Sequence, residues 1–137
     1  MNARTLILFV LLIPVLAVVA WRLLRTPTTA SAAEEQALIA TIKIRSGDMG
    51  SPEERARIVA LENQLSDAIK NSAAGDFDGD EYGDGVCTIY MYGPSADRLL
   101  TVTLPILKKF RAPTGSYVTK RYGKPGAKQE RISLSGD

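Results

Sequence analysis

The segment best equipped for chemistry runs from Asp76 to Gly85 and is acidic. Five carboxylates fall within nine of its residues, and glycines separate them. Carboxylate oxygens are the ligands that calcium and magnesium prefer. An EF-hand loop is excluded, because Glu81 and Cys87 stand where that motif needs a glycine and a bidentate glutamate. Three interpretations remain. The segment is a solvated acidic turn, a weak cation site, or the centre of a metal-dependent hydrolase. In the last two cases the candidate ligands are Asp76, Asp78, Asp80 and Asp84.

The inventory of side chains restricts catalysis. The 137 residues include no histidine and a single cysteine. Ser-His-Asp and Cys-His catalysis, His-ligated zinc and an intramolecular disulfide are therefore excluded. Cys87 lies in an apolar segment, which predicts a buried and inert thiol. The sequence favours a protein that is not an enzyme and that uses no cofactor.

Charge divides the chain into an acidic part and a basic part. Residues 34–100 contain 6 basic and 13 acidic side chains, whereas residues 105–137 contain 8 basic and 2 acidic ones. One interpretation is that the two parts neutralise each other in the fold. The other is a basic surface for anionic lipid or an acidic partner, with the candidate contact residues Lys120, Arg121, Lys124 and Lys128.

Residues 1–25 predict a transmembrane anchor. From Leu6 to Leu24 the chain holds 19 residues with one charge, which is long enough to cross a hydrocarbon core of about 30 Å. Trp21 suits the headgroup region that follows. A cleaved signal peptide is the alternative, because residues 30–32 (Ala-Ser-Ala) have the form of a cleavage site. Residues 26–36 are a linker of small residues, and residues 37–137 are the folded domain.

Two kinds of periodicity predict the elements of this domain. Residues 37–45 alternate apolar and polar side chains, and residues 86–92 are rich in β-branched and aromatic ones, so both segments predict strands. Ser51, Pro52 and Glu54 form a capping signature that predicts a helix after it. A second helix is expected after residues 93–97, with a kink or break at Pro105. Residues 116–122 and 129–134 predict the last two strands.

The expected order is therefore β-α-β-α-β-β, in an α+β domain. Each element has one apolar side to bury, so we expect an antiparallel-rich four-stranded sheet with both helices on one face, preceded by the N-terminal hydrophobic helix. An uncovered sheet edge would let two copies pair.

Six segments together carry a resemblance to a known family. The chain resembles a small bacterial α+β domain family over residues 42–134, and the family's hallmark segments are GSPEER, LE, GDFDGDE, GVCTIYMYGP, GSYV and RYG. The resemblance implies the same α+β fold. It implies no functional residue, because the family has no assigned reaction or ligand.

These observations predict a membrane-tethered, non-catalytic interaction module that contacts the bilayer through residues 6–24 and an unknown protein partner through its basic surface. Nucleic acid is disfavoured as a partner, because the aromatic spacing fits no nucleic-acid motif. We expect a single-pass protein of the bacterial inner membrane, or a periplasmic or secreted domain if the N-terminus is cleaved. Its orientation stays open, because Arg4 and the amino terminus oppose Arg22 and Arg25.

Overall fold

The computed structural model of the protein describes residues 34–135. The predicted anchor and most of the predicted linker lie outside the described residues. None of the helices in the described range combines the length and the apolar character needed to cross a membrane.

The domain is an α+β fold with one five-stranded antiparallel sheet and two helices. The sheet order is β2-β3-β1-β4-β5, and every neighbouring pair is antiparallel. The first six elements follow the split β-α-β pattern, and β5 extends the sheet beside β4. In chain order the elements are β1 (Gln36–Lys43), α1 (Pro52–Asn71), β2 (Asp76–Gly83), β3 (Val86–Gly93), α2 (Ala96–Phe110), β4 (Tyr117–Arg121) and β5 (Gln129–Ser133).

The additional strand is the acidic segment. Four strands were expected, because Asp and Gly are depleted in strands and the segment therefore indicated a turn. Instead, β2 and β3 form a hairpin closed by Asp84 and Gly85, with φ of 53° and 71°. Positive φ at both central residues defines the type I′ turn, which matches the twist of paired strands. The acidic carboxylates thus lie along an edge strand.

A β-bulge decides which acidic side chains face inwards. The register of β2 shifts between Phe77 and Gly79, so that Phe77 lies opposite Met91 and Asp80 lies opposite Ile89. Directly opposed residues point to the same face of a sheet. Because Met91 and Ile89 are both buried in the core, Asp80 is turned towards the helices.

Both helices pack on one face of the sheet, as the sequence predicts. The capping box of α1 is present, with Ser51 accepting from the Glu54 amide. α2 continues through Pro105 instead of breaking there, and Pro105 lies on its exposed side. The core contains buried side chains from the inner face of the sheet and from both helices: Leu38, Ala40, Ile42, Ile58, Leu61, Leu65, Ile69, Cys87, Ile89, Met91, Leu99, Leu107 and Val118.

Candidate functional site

The two ends of the sheet carry most of the functional candidates. The hairpin end is named for the β4–β5 hairpin: β1 begins there, and the turn between β4 and β5 lies there. The β2–β3 turn at Asp84-Gly85 lies at the opposite end, where β1 finishes. The basic end is the end at which β1 and α2 finish, and its cations are Lys43, Arg45, Arg57, Lys108, Lys109 and Arg111.

At the hairpin end, Lys120 is an internal residue. It lies opposite Leu38 on the inner face and is only 7% exposed. Its Nζ lies 2.8 Å from both Asp97 Oδ1 and Glu130 Oε2. These hydrogen bonds raise the pKa of Lys120 and lower the pKa of both carboxyls. The Tyr122 hydroxyl completes the cluster, within 3.2 Å of both carboxylates.

The other three predicted contact residues have different surroundings. Arg121 faces the opposite side of the sheet, where its Nε donates to the Gly123 carbonyl at 2.9 Å. Lys124 and Lys128 have exposed side chains in the turn, and the Lys124 amide donates to Glu34 Oε1 at 3.3 Å. Lys120 therefore lies inside the fold, Arg121 lies on the outer face, and only the two turn lysines share a surface.

The four predicted cation ligands are also dispersed. Asp76 and Asp78 lie in the first half of β2, and Asp84 lies in its closing turn. Asp80 alone of the four joins a group of ligand-type side chains, together with Glu62 from α1 and Cys87 from β3. In residues 34–135, one ligand atom from each of these three side chains lies within 4.8 Å of the others.

This carboxyl–thiol cluster (Glu62, Asp80 and Cys87, with Tyr82 beside it) is partly withdrawn from solvent. Cys87 is fully buried, and its Sγ lies 3.7 Å from Asp80 Oδ2. Glu62 Oε1 is buried and finds no hydrogen-bond donor within the described part of the chain. Burial, and then the charge of Asp80, raise the pKa of Glu62 to about 7. The side chain of Cys87 is buried, as the sequence predicts. This burial raises the pKa of its thiol to about 12.

Glu62 was not predicted as a site residue, although its spacing along α1 indicates that it faces the core. It lies four residues after Ile58 and three before Leu65, both of which are buried. A glutamate at that spacing interrupts the apolar stripe of a helix. Its partner was not predictable in the same way, because the bulge in β2 is what turns Asp80 inwards.

The basic end carries three surface pockets of the described domain. Three pockets of about 160, 320 and 660 Å³ surround the last turn of α2. Each is lined by cations: Lys43, Arg45 and Arg57 in the first, Arg57 and Lys109 in the second, and Lys108 and Arg111 in the third. The two ion pairs of residues 34–135 both involve Lys120, so these cations have no acidic partner there.

Two contacts shape the wall of the basic end. The Arg57 guanidinium lies 5.1 Å from the centre of the Phe110 ring, a cation–π distance. The acidic residue of the first pocket, Glu54, is occupied by backbone groups, since its carboxylate accepts from the amides of Arg45, Ser46 and Ser51 at 2.9–3.3 Å. Those bonds lower the pKa of Glu54. Its charge is thus held by the turn that precedes α1.

Comparison of the chain with family models, with curated proteins and with solved structures found no match. The case for function therefore depends on the geometry of the described residues.

Proposed function

We propose that this protein is a membrane-tethered, non-catalytic binding module that holds an acidic protein partner at its basic end. The observation that carries the proposal is that three pockets around the last turn of α2 are lined by cations that form no ion pair within residues 34–135. Such cations at the rim of a pocket attract an anionic partner.

The direction of β1 supports this choice of surface. Glu34, the first described residue, lies at the hairpin end, because its Oε1 accepts from the Lys124 amide in the turn. From there β1 runs eight residues to the basic end, a distance of about 25 Å. The first described residue and the basic end therefore lie at opposite ends of the sheet, so the entry of the chain into β1 does not cover the basic end.

The hairpin end suits a different contact. Lys124 and Lys128 are exposed in the turn at the hairpin end, so their ammonium groups are available to anionic lipid headgroups. Lysines near a membrane surface contribute about 1 kcal/mol each to such attraction. We assign them to the lipid surface, and the partner to the basic end.

The test compares two matched pairs of exposed lysines in the full-length protein held in nanodiscs of neutral lipid. The probe is a fluorescent polyglutamate peptide. We expect K108Q/K109Q to weaken its binding about fivefold, because two exposed ion contacts of about 0.5 kcal/mol each contribute about 1 kcal/mol together. The control pair K124Q/K128Q removes the same charge from the hairpin end and should leave binding unchanged.

Two results would contradict the proposal. A larger loss in K124Q/K128Q than in K108Q/K109Q would return the contact surface to the hairpin end. Equal binding by all three proteins would mean that the basic end does not recognise acidic chains. Separately, a reporter at Asp137 on intact cells tells on which side of the membrane the partner must be sought.

A further inference from the structure

The carboxyl–thiol cluster combines three elements in one small volume. Glu62 comes from α1, Asp80 from the edge strand β2, and Cys87 from β3. All three side chains carry a potential negative charge. No lysine or arginine of the described residues forms an ion pair with Glu62 or Asp80. The cluster therefore gathers three ligand-type side chains without a lysine or arginine paired to them.

A second observation points to a ligand at this position. Glu62 Oε1 is buried with no donor in hydrogen-bond range. A buried carboxylate oxygen without a partner is costly, and native structures satisfy nearly all such atoms with a protein group, an ordered water or an ion. The carboxylate that carries this oxygen belongs to the same group of ligand-type side chains as the Asp80 carboxylate and the Cys87 thiol.

We propose that Glu62, Asp80 and Cys87 form a binding site for one divalent cation of the zinc class. Two carboxylate oxygens and one sulfur are a donor set for zinc, cobalt or cadmium, whereas calcium and magnesium take oxygen donors only. The site goes beyond the proposed partner binding and does not depend on it.

The distances suit such an ion. Zinc–oxygen and zinc–sulfur bonds of about 2.1 and 2.3 Å at tetrahedral angles place neighbouring donors about 3.6 Å apart. Cys87 Sγ and Asp80 Oδ2 are already 3.7 Å apart, and all three donors lie within 4.8 Å. The Glu62 donor lies no more than 4.8 Å from the other two, so a movement of about 1 Å or less by its side chain brings it to the ideal spacing. Asp80 is exposed, so water can fill the fourth position.

A bound cation would also fasten α1 to the edge of the sheet. It would neutralise the clustered carboxylates and hold the thiol as a thiolate. Binding to the folded state alone raises its stability. Zinc should therefore raise the Tm of the full-length protein.

The experiment uses the full-length protein in nanodiscs, stripped of metal with EDTA and titrated with Zn²⁺ by calorimetry. Co²⁺ is added in parallel, because a thiolate-to-cobalt absorption band reports sulfur ligation directly. We expect one ion per chain, a higher Tm with Zn²⁺, and a cobalt band that C87S abolishes. E62Q should weaken Zn²⁺ binding at least about tenfold, as the loss of even an outer-shell partner does in metal sites.

Matched controls come from the same acidic strand. D76N, D78N and D84N each remove a carboxylate outside the cluster, and they should keep full Zn²⁺ affinity and the cobalt band. No heat with Zn²⁺ would overturn the proposal. So would Zn²⁺ binding that survives in both C87S and E62Q, or that is lost in D78N, because the ion would then lie on the exposed part of β2. If C87S does not fold, E62Q and the D78N control still decide between these results.

Discussion

The two ends of the sheet differ in what their charges do. At the hairpin end, Lys120 is buried and forms ion pairs with two carboxylates, so its charge is neutralised within the fold. At the basic end, the cations around the last turn of α2 line three pockets and have no acidic partner in the described chain. A run of basic residues in a sequence can thus serve the fold at one end and remain available to a partner at the other.

The largest expected effect concerns how tightly the hairpin end is closed. Gly75 has φ of 155°, and a Cβ there would overlap the Tyr92 carbonyl oxygen. G75A should therefore lower the free energy of unfolding by about 3 kcal/mol, measured by urea denaturation. G126A is the control, because Gly126 also has positive φ but faces open space, so its cost should be about 1 kcal/mol. Equal losses would mean that the hairpin end is not close-packed there.

The second prediction sets the two ends against each other directly. K120M should lower the Tm clearly, because it leaves Asp97 and Glu130 facing each other without the shared cation. K109M at the basic end removes an exposed lysine, which should change the free energy of unfolding by no more than about 0.5 kcal/mol. Thermal denaturation of both variants checks this, and similar Tm values would remove the distinction between the two ends.

The third prediction concerns the turn that organises the basic end. Ser51 caps α1 by accepting from the Glu54 amide at 3.2 Å. S51A should cost about 1 kcal/mol of stability, the usual value of an N-cap, measured by urea denaturation. S95A is the comparison at the hairpin end, since Ser95 caps α2 by accepting from the Arg98 amide. If only one of the two variants has a lower free energy of unfolding, the two caps do not contribute equally to stability.

The smallest effect is a dependence on acid pH at the hairpin end. The pKa values of Asp97 and Glu130 are lowered from their ordinary 3.8 and 4.5, mainly by hydrogen bonds from Lys120. A group whose pKa is lower in the folded state contributes stability above its ordinary pKa, and this contribution is lost as the pH falls through the folded value. The Tm should therefore decline below about pH 4.5, and less steeply in K120M. Parallel profiles for the two proteins would contradict the assignment.

Most of the fold was predictable from local patterns. The alternation in β1, the capping signature before α1 and the β-branched run of β3 each predict the element that forms. The strand that was not predicted, β2, is built from residues that disfavour strands. It forms because its backbone pairs with β3 in the hairpin. Asp84-Gly85 is a type I′ hairpin signal and was the available sign that a strand preceded it.

The candidate sites were less predictable, because they depend on which face a side chain occupies. Lys120 lies two residues after the buried Val118 in β4, so both side chains point to the same, inner face of the sheet. This period of two indicates an inward-facing lysine. The predicted basic surface treated it as exposed. The carboxyl–thiol cluster needs Glu62 and Asp80 to meet across 18 positions of sequence, and only the bulge in β2 brings that about.

The acidic edge strand also bears on how copies of this protein behave towards one another. A tether would confine them to two dimensions, where neighbours meet far more often than in free solution, and an open strand edge is a template for aggregation. Asp76, Asp78 and Glu81 are exposed on β2, whose ladder is interrupted by the bulge. Two such edges would repel each other electrostatically and would pair with broken register. The strand that carries Asp80 would thus also keep crowded neighbours apart.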